Sequence, residues 1–282
     1  MNAVRTEIAS AAALAAPAAR GTSLSRALHA EWTKLRTVSG PAWLLLGVAA
    51  LTIAVGVAAT AATHCPQNMT CPVDPTKLSL TGVLLGQAVV AILAVLVVTN
   101  EYSTGMMRIT LAAMPNRFAV LTAKAILLAG LVLVAGAVAV FGSVLAGHLV
   151  LPGHGFTTAR GFHPVWLSYG PTLRAACGSV LYLALIALMS LGVAMLLRDS
   201  AVSIGASLAL LYLFPIVLGF IGNERWQRRL ERWTPTVAGL NIQDTTGLKG
   251  LAITPWAGLG VLAIWAAAAM LAGGLAFRLR DA

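Results

Sequence analysis

LTGVLLGQAVVAILAVLVVT at 80–99 is followed by NEYSTGMMRITLAAMPNR at 100–117, and then by a second apolar run at 118–147. About 20 consecutive apolar residues are enough to cross a bilayer. Neither run has an ionisable residue near its middle, so both read as membrane spans. The polar piece between them is longer and richer than a plain connector. Glu101 and Arg108 are seven residues apart, on one face if the stretch is helical. Tyr102, Gly105, paired methionines and a closing Pro115 surround them. A short helix here would offer a surface for another molecule to grip.

Working outward, the same pattern recurs. The 282 residues are 59% hydrophobic and only 10% charged, with a mean hydropathy of +0.85. Soluble domains carry about 25% charged residues. Six apolar runs are present, at 41–62, 80–99, 118–147, 172–197, 200–221 and 255–277. The expected fold is all-α: a polytopic membrane protein with six transmembrane helices in one domain, 23–282. Residues 1–22 read as a disordered extension. Their alanine-rich stretch carries Glu7 and Pro17, which argues against a cleaved signal.

The net charge of +10 would point to nucleic acid on a soluble protein. Here basic loops meet anionic lipid headgroups instead. No aromatic-interleaved basic patch is present to read bases, so membrane lipids are expected partners and nucleic acid is not.

SLSRALHAEWTKLRTVSG, 23–40, places Leu24, Ala27, Leu28, Trp32 and Leu35 at helical spacing. Arg26, His29, Lys34 and Arg36 lie off that stripe, so the helix suits the membrane interface. Ser23 reads as its N-cap, and Gly40-Pro41 as a stop and restart. Lysines and arginines of the early loops favour an inside N-terminus, and six spans return the C-terminus to the same side. The expected location is a bacterial plasma membrane, multi-pass, with both termini cytoplasmic. Arg225, Arg228, Arg229, Arg232 and Lys249 then fall on the outer side, against the rule.

The outer loops carry little chemistry. CPQNMTC at 65–71 would face an oxidising compartment, which permits a disulfide between Cys65 and Cys71. Cys177 lies inside the fourth run and reads as core. His148, His154 and His163 are spaced six and nine apart, which puts no two on one helical face and does not argue for metal. NERWQRRLERW at 223–233 reads as an interfacial helix anchored by tryptophans. VAGLNI at 237–242 follows, as a piece able to dip back into the membrane or to act as an outer gate.

Ion-coupled carriers need ionisable groups inside the membrane, and the span interiors have none. Lys124, Arg174 and Arg198 sit at span ends, where long side chains snorkel. Ser179, Ser190, Ser203 and Ser207 have no base supplied by any motif, so no catalytic site is assigned. No GxxxxGK[ST] loop is present, and the chain is expected to bind neither nucleotide, cofactor nor metal. Any energy must come from a partner.

Three pieces resemble a known family. HAEWTKLRT at 29–37, NEYSTGMMRITLAAMPNR at 100–117 and RLRDA at 278–282 are similar to segments of type-2 ATP-binding-cassette exporter permeases, of the kind abundant in high-GC Gram-positive bacteria. The middle segment is the most specific, and the likeness covers roughly 23–282. It implies a permease subunit that is not itself an enzyme, paired with a second permease copy, identical or different, and with separate ATPase subunits. ATP would sit on those subunits. The apolar, charge-free spans suit a hydrophobic or amphipathic cargo better than an ion, with drug, peptide antibiotic and lipid all open. The segment after the second span would be a coupling helix seated on the ATPase, with Glu101, Tyr102, Gly105 and Arg108 contacting or positioning it. Two other readings stay open: a non-transporting scaffold or sensor subunit, and a membrane enzyme acting on lipid-linked substrates.

Overall fold

A computed structural model describes residues 18–279, apart from 67–70, 115 and 221. The chain is an all-α polytopic membrane protein, with no strand among the described residues. Helix α1 (Ala18–Thr37) leads into α2 (Ser39–Ala62) through one extended residue, Val38. The short α3 (Pro75–Ser79) precedes α4 (Val83–Ser103), α5 (Met106–Ala113) and α6 (Arg117–Val150). Then come α7 (Gly170–Leu197), α8 (Ser200–Leu208), α9 (Phe214–Gly219), α10 (Glu224–Trp233), α11 (Pro235–Leu240) and α12 (Pro255–Leu279).

Six helices are long and apolar enough to cross a membrane: α2, α4, α6, α7, α12 and the continuous segment Ser200–Gly219 formed by α8 and α9. They match the six expected runs, with ends shifted by a few residues. The helix α6 has 34 residues, about 51 Å at 1.5 Å per residue, so it overshoots a hydrocarbon core of about 30 Å. The junction of α8 and α9 is a π-turn, Ala209–Leu213. Pro215 lies just beyond it. A proline has no N–H to give and its ring clashes with the carbonyl four residues earlier, here Leu211, so the backbone widens at that point.

The expected extension at 1–22 lies outside the described residues up to 17, and the helix already begins at Ala18. Ser23 therefore falls within α1 and not at its start. The break before α2 falls at Val38, two residues earlier than Gly40-Pro41 suggested. Pro115 and most of the RLRDA tail lie outside the described residues.

The core sits on α7 and α4, whose most apolar windows are 61% and 56% buried, against 22–28% for the other four spans. The helix α7 packs against α12, α4 and α6. Its seam with α12 is backbone on backbone. A Cβ on Gly192 would meet the Ala269 carbonyl carbon at 2.4 Å, and one on Gly273 would meet the Gly192 oxygen at 2.4 Å. Between apolar helices in lipid, such small residues let dispersion contacts hold the pair, because burial from water contributes little there.

The bundle has two ends. One carries α1 and α5 and is called the linker end here. The other carries the loops around Cys65, His154 and α10, and is called the disulfide end, because Cys65 and Cys71 are bonded.

Candidate functional site at the linker end

Four charged side chains from three helices meet inside the linker end. Glu31 and Lys34 come from α1, Glu101 from the last turn of α4, and Lys124 from the eighth position of α6. The Lys124 ammonium donates to Glu31 Oε2 at 2.6 Å and to Glu101 Oε1 at 2.6 Å. The Lys34 ammonium donates to Glu31 Oε1 at 2.9 Å, to Glu101 Oε1 at 3.2 Å and to the Thr110 hydroxyl of α5 at 3.0 Å. Lys124 and Glu31 are each 2% exposed, and Glu101 is 9% exposed. Two carboxylates and two ammonium groups cancel, which is how charges survive burial. Burial works to lower the Lys34 pKa, but the hydrogen bond and charge of Glu31, with those of Glu101, outweigh it and hold the ammonium above its ordinary value.

The local sequence explains each placement. Ala27, Glu31 and Lys34 share one face of α1, and that face packs on α6, with Ala27 fully buried. The chain leaves α4 at Thr104 and turns at Gly105, which has φ +70°. No atom lies within 4 Å of a Cβ built there, so conformation alone demands glycine. The turn lets α5 start with Met107 and Thr110 inward, while Arg108 and Ile109 are exposed and Ile109 is 70% exposed.

Several expectations change here. Glu101 and Arg108 do not share a helix, because Thr104 and Gly105 separate α4 from α5. Glu101 lies in the last turn of α4, and its side chain points into the cluster. Lys124 does not snorkel: two carboxylates reach it inside the protein, so the ammonium has no need of water. Lys34, off the apolar stripe in sequence, turns inward and links α1, α4 and α5. Trp32 of the apolar stripe is exposed, as a residue that faces lipid on an interfacial helix would be. Glu31, which the sequence alone does not single out, joins the cluster from the same face as Ala27 and Lys34 and is buried there.

Tyr102 stands outside the cluster, with the Arg198 guanidinium 5.2 Å above its ring. Arg198 ends α7 and donates to the Ala276 carbonyl at 3.3 Å. Arg117 opens α6 and donates to the Phe277 carbonyl at 2.8 Å. Two guanidinium groups thus meet the last-turn carbonyls of α12, the negative end of its dipole.

A cavity of about 440 Å³ opens beside the cluster. Leu35, Leu44, Leu93, Leu96 and Val97 form apolar parts of its wall, and Glu31, Lys34, Glu101 and Lys124 a charged part. That volume falls in the range of small-molecule sites. Glu101 Oε2 is buried with no hydrogen-bond partner among the described residues.

At the disulfide end, Asp74 accepts from the Thr245 and Thr246 backbone N–H groups at 2.5 and 3.0 Å, and Lys77 pairs with Asp244 at 2.7 Å. The VAGLNI piece is packed against α7 and α12: Ile242 lies over Gly178, and Gln243 donates to the Ser179 hydroxyl at 3.0 Å. Ser179 is nine residues inside α7, so the piece reaches well below the helix end. Cys177, read as core, is exposed on the surface of α7. His148, which lies in the last turn of α6, packs against Trp166, while His154 meets His64 and His163 meets Tyr169. Among the described residues, no group of three or more His, Cys, Asp or Glu is placed to hold a metal ion.

The fold and this site define a class: an all-α multi-pass membrane protein with a buried charged latch at one end. No protein-family model matches the chain, and no curated protein matches it.

Proposed function

We propose that the chain is the membrane-spanning permease subunit of an ATP-binding-cassette exporter, working with a second permease copy and separate ATPase subunits. The observation that carries this reading is the two-sided character of α5. Its inner face is tied through Thr110 to Lys34, and so to α1, α4 and α6. Its other face presents Met106 and Ile109 beside Arg108, all exposed, on a helix too short to span anything. An exposed apolar patch next to a rigid charged junction suits a docking partner that pushes. ATP binding on the partner would press α5, and the latch would pass the movement into three spans together.

In this reading Gly105 sets the angle of α5, Arg108 contacts the ATPase, and Glu101 positions the helix from inside. Tyr102, held by Arg198, belongs to the same junction. The cargo is a hydrophobic or amphipathic molecule, in keeping with spans that carry no central charge. The N- and C-termini and α5 would then lie on the cytoplasmic side of a bacterial plasma membrane.

The test is purification of the tagged chain from its native membrane. The expected result is an ATP-binding-cassette ATPase in the complex, with ATP turnover lost in Ile109→Asp while the variant still folds. Intact tagged chain that carries no ATPase would contradict the proposal.

A further inference from the structure

The helix α10 carries Arg225, Arg228, Arg229 and Arg232, a spacing of three, one and three that places all four on one helical face. All four are exposed. Trp226, Leu230 and Trp233 form a neighbouring stripe, and all three are exposed as well. The helix does not hang free in water. The Trp265 indole N–H donates to the Trp233 carbonyl at 3.0 Å, and Arg232 Nε donates to the Ala252 carbonyl at 2.8 Å. Trp265 is ten residues inside α12, about 15 Å along it. The C-terminal end of α10 is therefore sunk below the end of a membrane span. Ala252 lies three residues before α12 begins, so the contact from Arg232 sets the arginine row level with the mouth of that span. An exposed arginine row beside exposed tryptophans at that level faces the zone of lipid headgroups.

The geometry points to a lipid site: α10 binds the phosphates of anionic phospholipids in the leaflet at the disulfide end. Guanidinium groups match phosphate oxygens in bidentate pairs, and arginine is less hydrated than lysine, so it holds them at a wet interface. Trp226 supports the row from beneath, with the Arg229 guanidinium 5.7 Å from its ring centroid. Through Thr234 the helix continues into α11 and the turn at Asn241–Gln243, which pack on α7 and α12. Bound lipid thus fixes the position of the inserted piece. The inference rests on the six membrane-spanning helices alone and stands whether or not the chain transports anything.

The test is native mass spectrometry of the full chain in phosphatidylcholine nanodiscs, titrated with phosphatidylglycerol. Each arginine near an anionic surface contributes about fivefold in affinity, so Arg225→Gln with Arg229→Gln should lower phosphatidylglycerol binding about 25-fold. Phosphatidylcholine retention should stay unchanged, and Arg225→Lys with Arg229→Lys should keep most of the binding. On the wild-type chain, rising salt should weaken phosphatidylglycerol binding, which tests the idea even if the glutamine pair fails to fold. Three results would overturn it: equal affinity in the glutamine pair, equal loss of both lipids, or displacement of the lipid by millimolar inorganic phosphate, which marks a free-anion site.

Discussion

Lys124 and Glu101 are joined at 2.6 Å across 23 residues of chain, and the same ammonium holds Glu31 of α1 at 2.6 Å. One lysine thereby fixes three helices that local sequence would leave independent. Removing it leaves two buried carboxylates with only Lys34 between them. Loss of one partner from a buried ion cluster costs about 3–5 kcal/mol. Lys124→Met is expected to lower the melting temperature in detergent accordingly. Lys124→Met combined with Glu101→Gln should cost clearly less than the two single changes added together. Simple additivity would mean that the pair is not coupled.

The pH dependence has a definite sign. Lys34 has its pKa raised in the folded chain above the ordinary 10.5. Its contribution is therefore fully present below 10.5 and is lost as pH rises through the higher folded value. Thermal stability should begin to fall above about pH 10.5, and Lys34→Met should flatten that part of the curve. A Lys34→Met profile that falls as steeply as wild type would remove Lys34 from the alkaline transition.

Gly105 adopts φ +70°, where a side chain is strained although nothing crowds it. Gly105→Ala should cost about 1–2 kcal/mol, and Gly105→Asn should cost less, because asparagine tolerates the left-handed region. Melting of the three proteins in one detergent checks the order. An alanine variant as stable as wild type would mean that the turn has rearranged.

Thiol counting separates the three cysteines. Cys177 is exposed on α7 and Cys65 is bonded to Cys71. A membrane-permeant maleimide should label one thiol before reduction and three after it. Closing a loop this short should contribute about 2 kcal/mol, so Cys65→Ser with Cys71→Ser is expected to melt lower. Three reactive thiols without reductant would rule the bond out.

The six spans were legible because a run of about 20 apolar residues has few other uses. The linker segment was legible because a polar, methionine-bearing interruption between two such runs is longer than a turn requires. The inner latch was not. Glu31 and Lys34 look water-facing in sequence, since charge normally marks the wet side of a helix, and only the partners Glu101 and Lys124 make burial tolerable. Those partners lie 23 or more residues away from one another or from α1, beyond any local pattern. Cys177 shows the other limit. In a span, lipid-facing and protein-facing residues are equally apolar, so hydropathy finds the helix but not its inward side.

The proposed seat of an ATPase is the exposed face of α5. A photo-crosslinking amino acid placed at Ile109 in the native membrane tests it most directly, with one at Trp226, at the opposite end of the bundle, as the control. A crosslink from position 109 to an ATP-binding-cassette ATPase is expected, and none from position 226. A crosslink from 109 only to lipid or to another copy of this chain, with an ATPase captured nowhere, would contradict it.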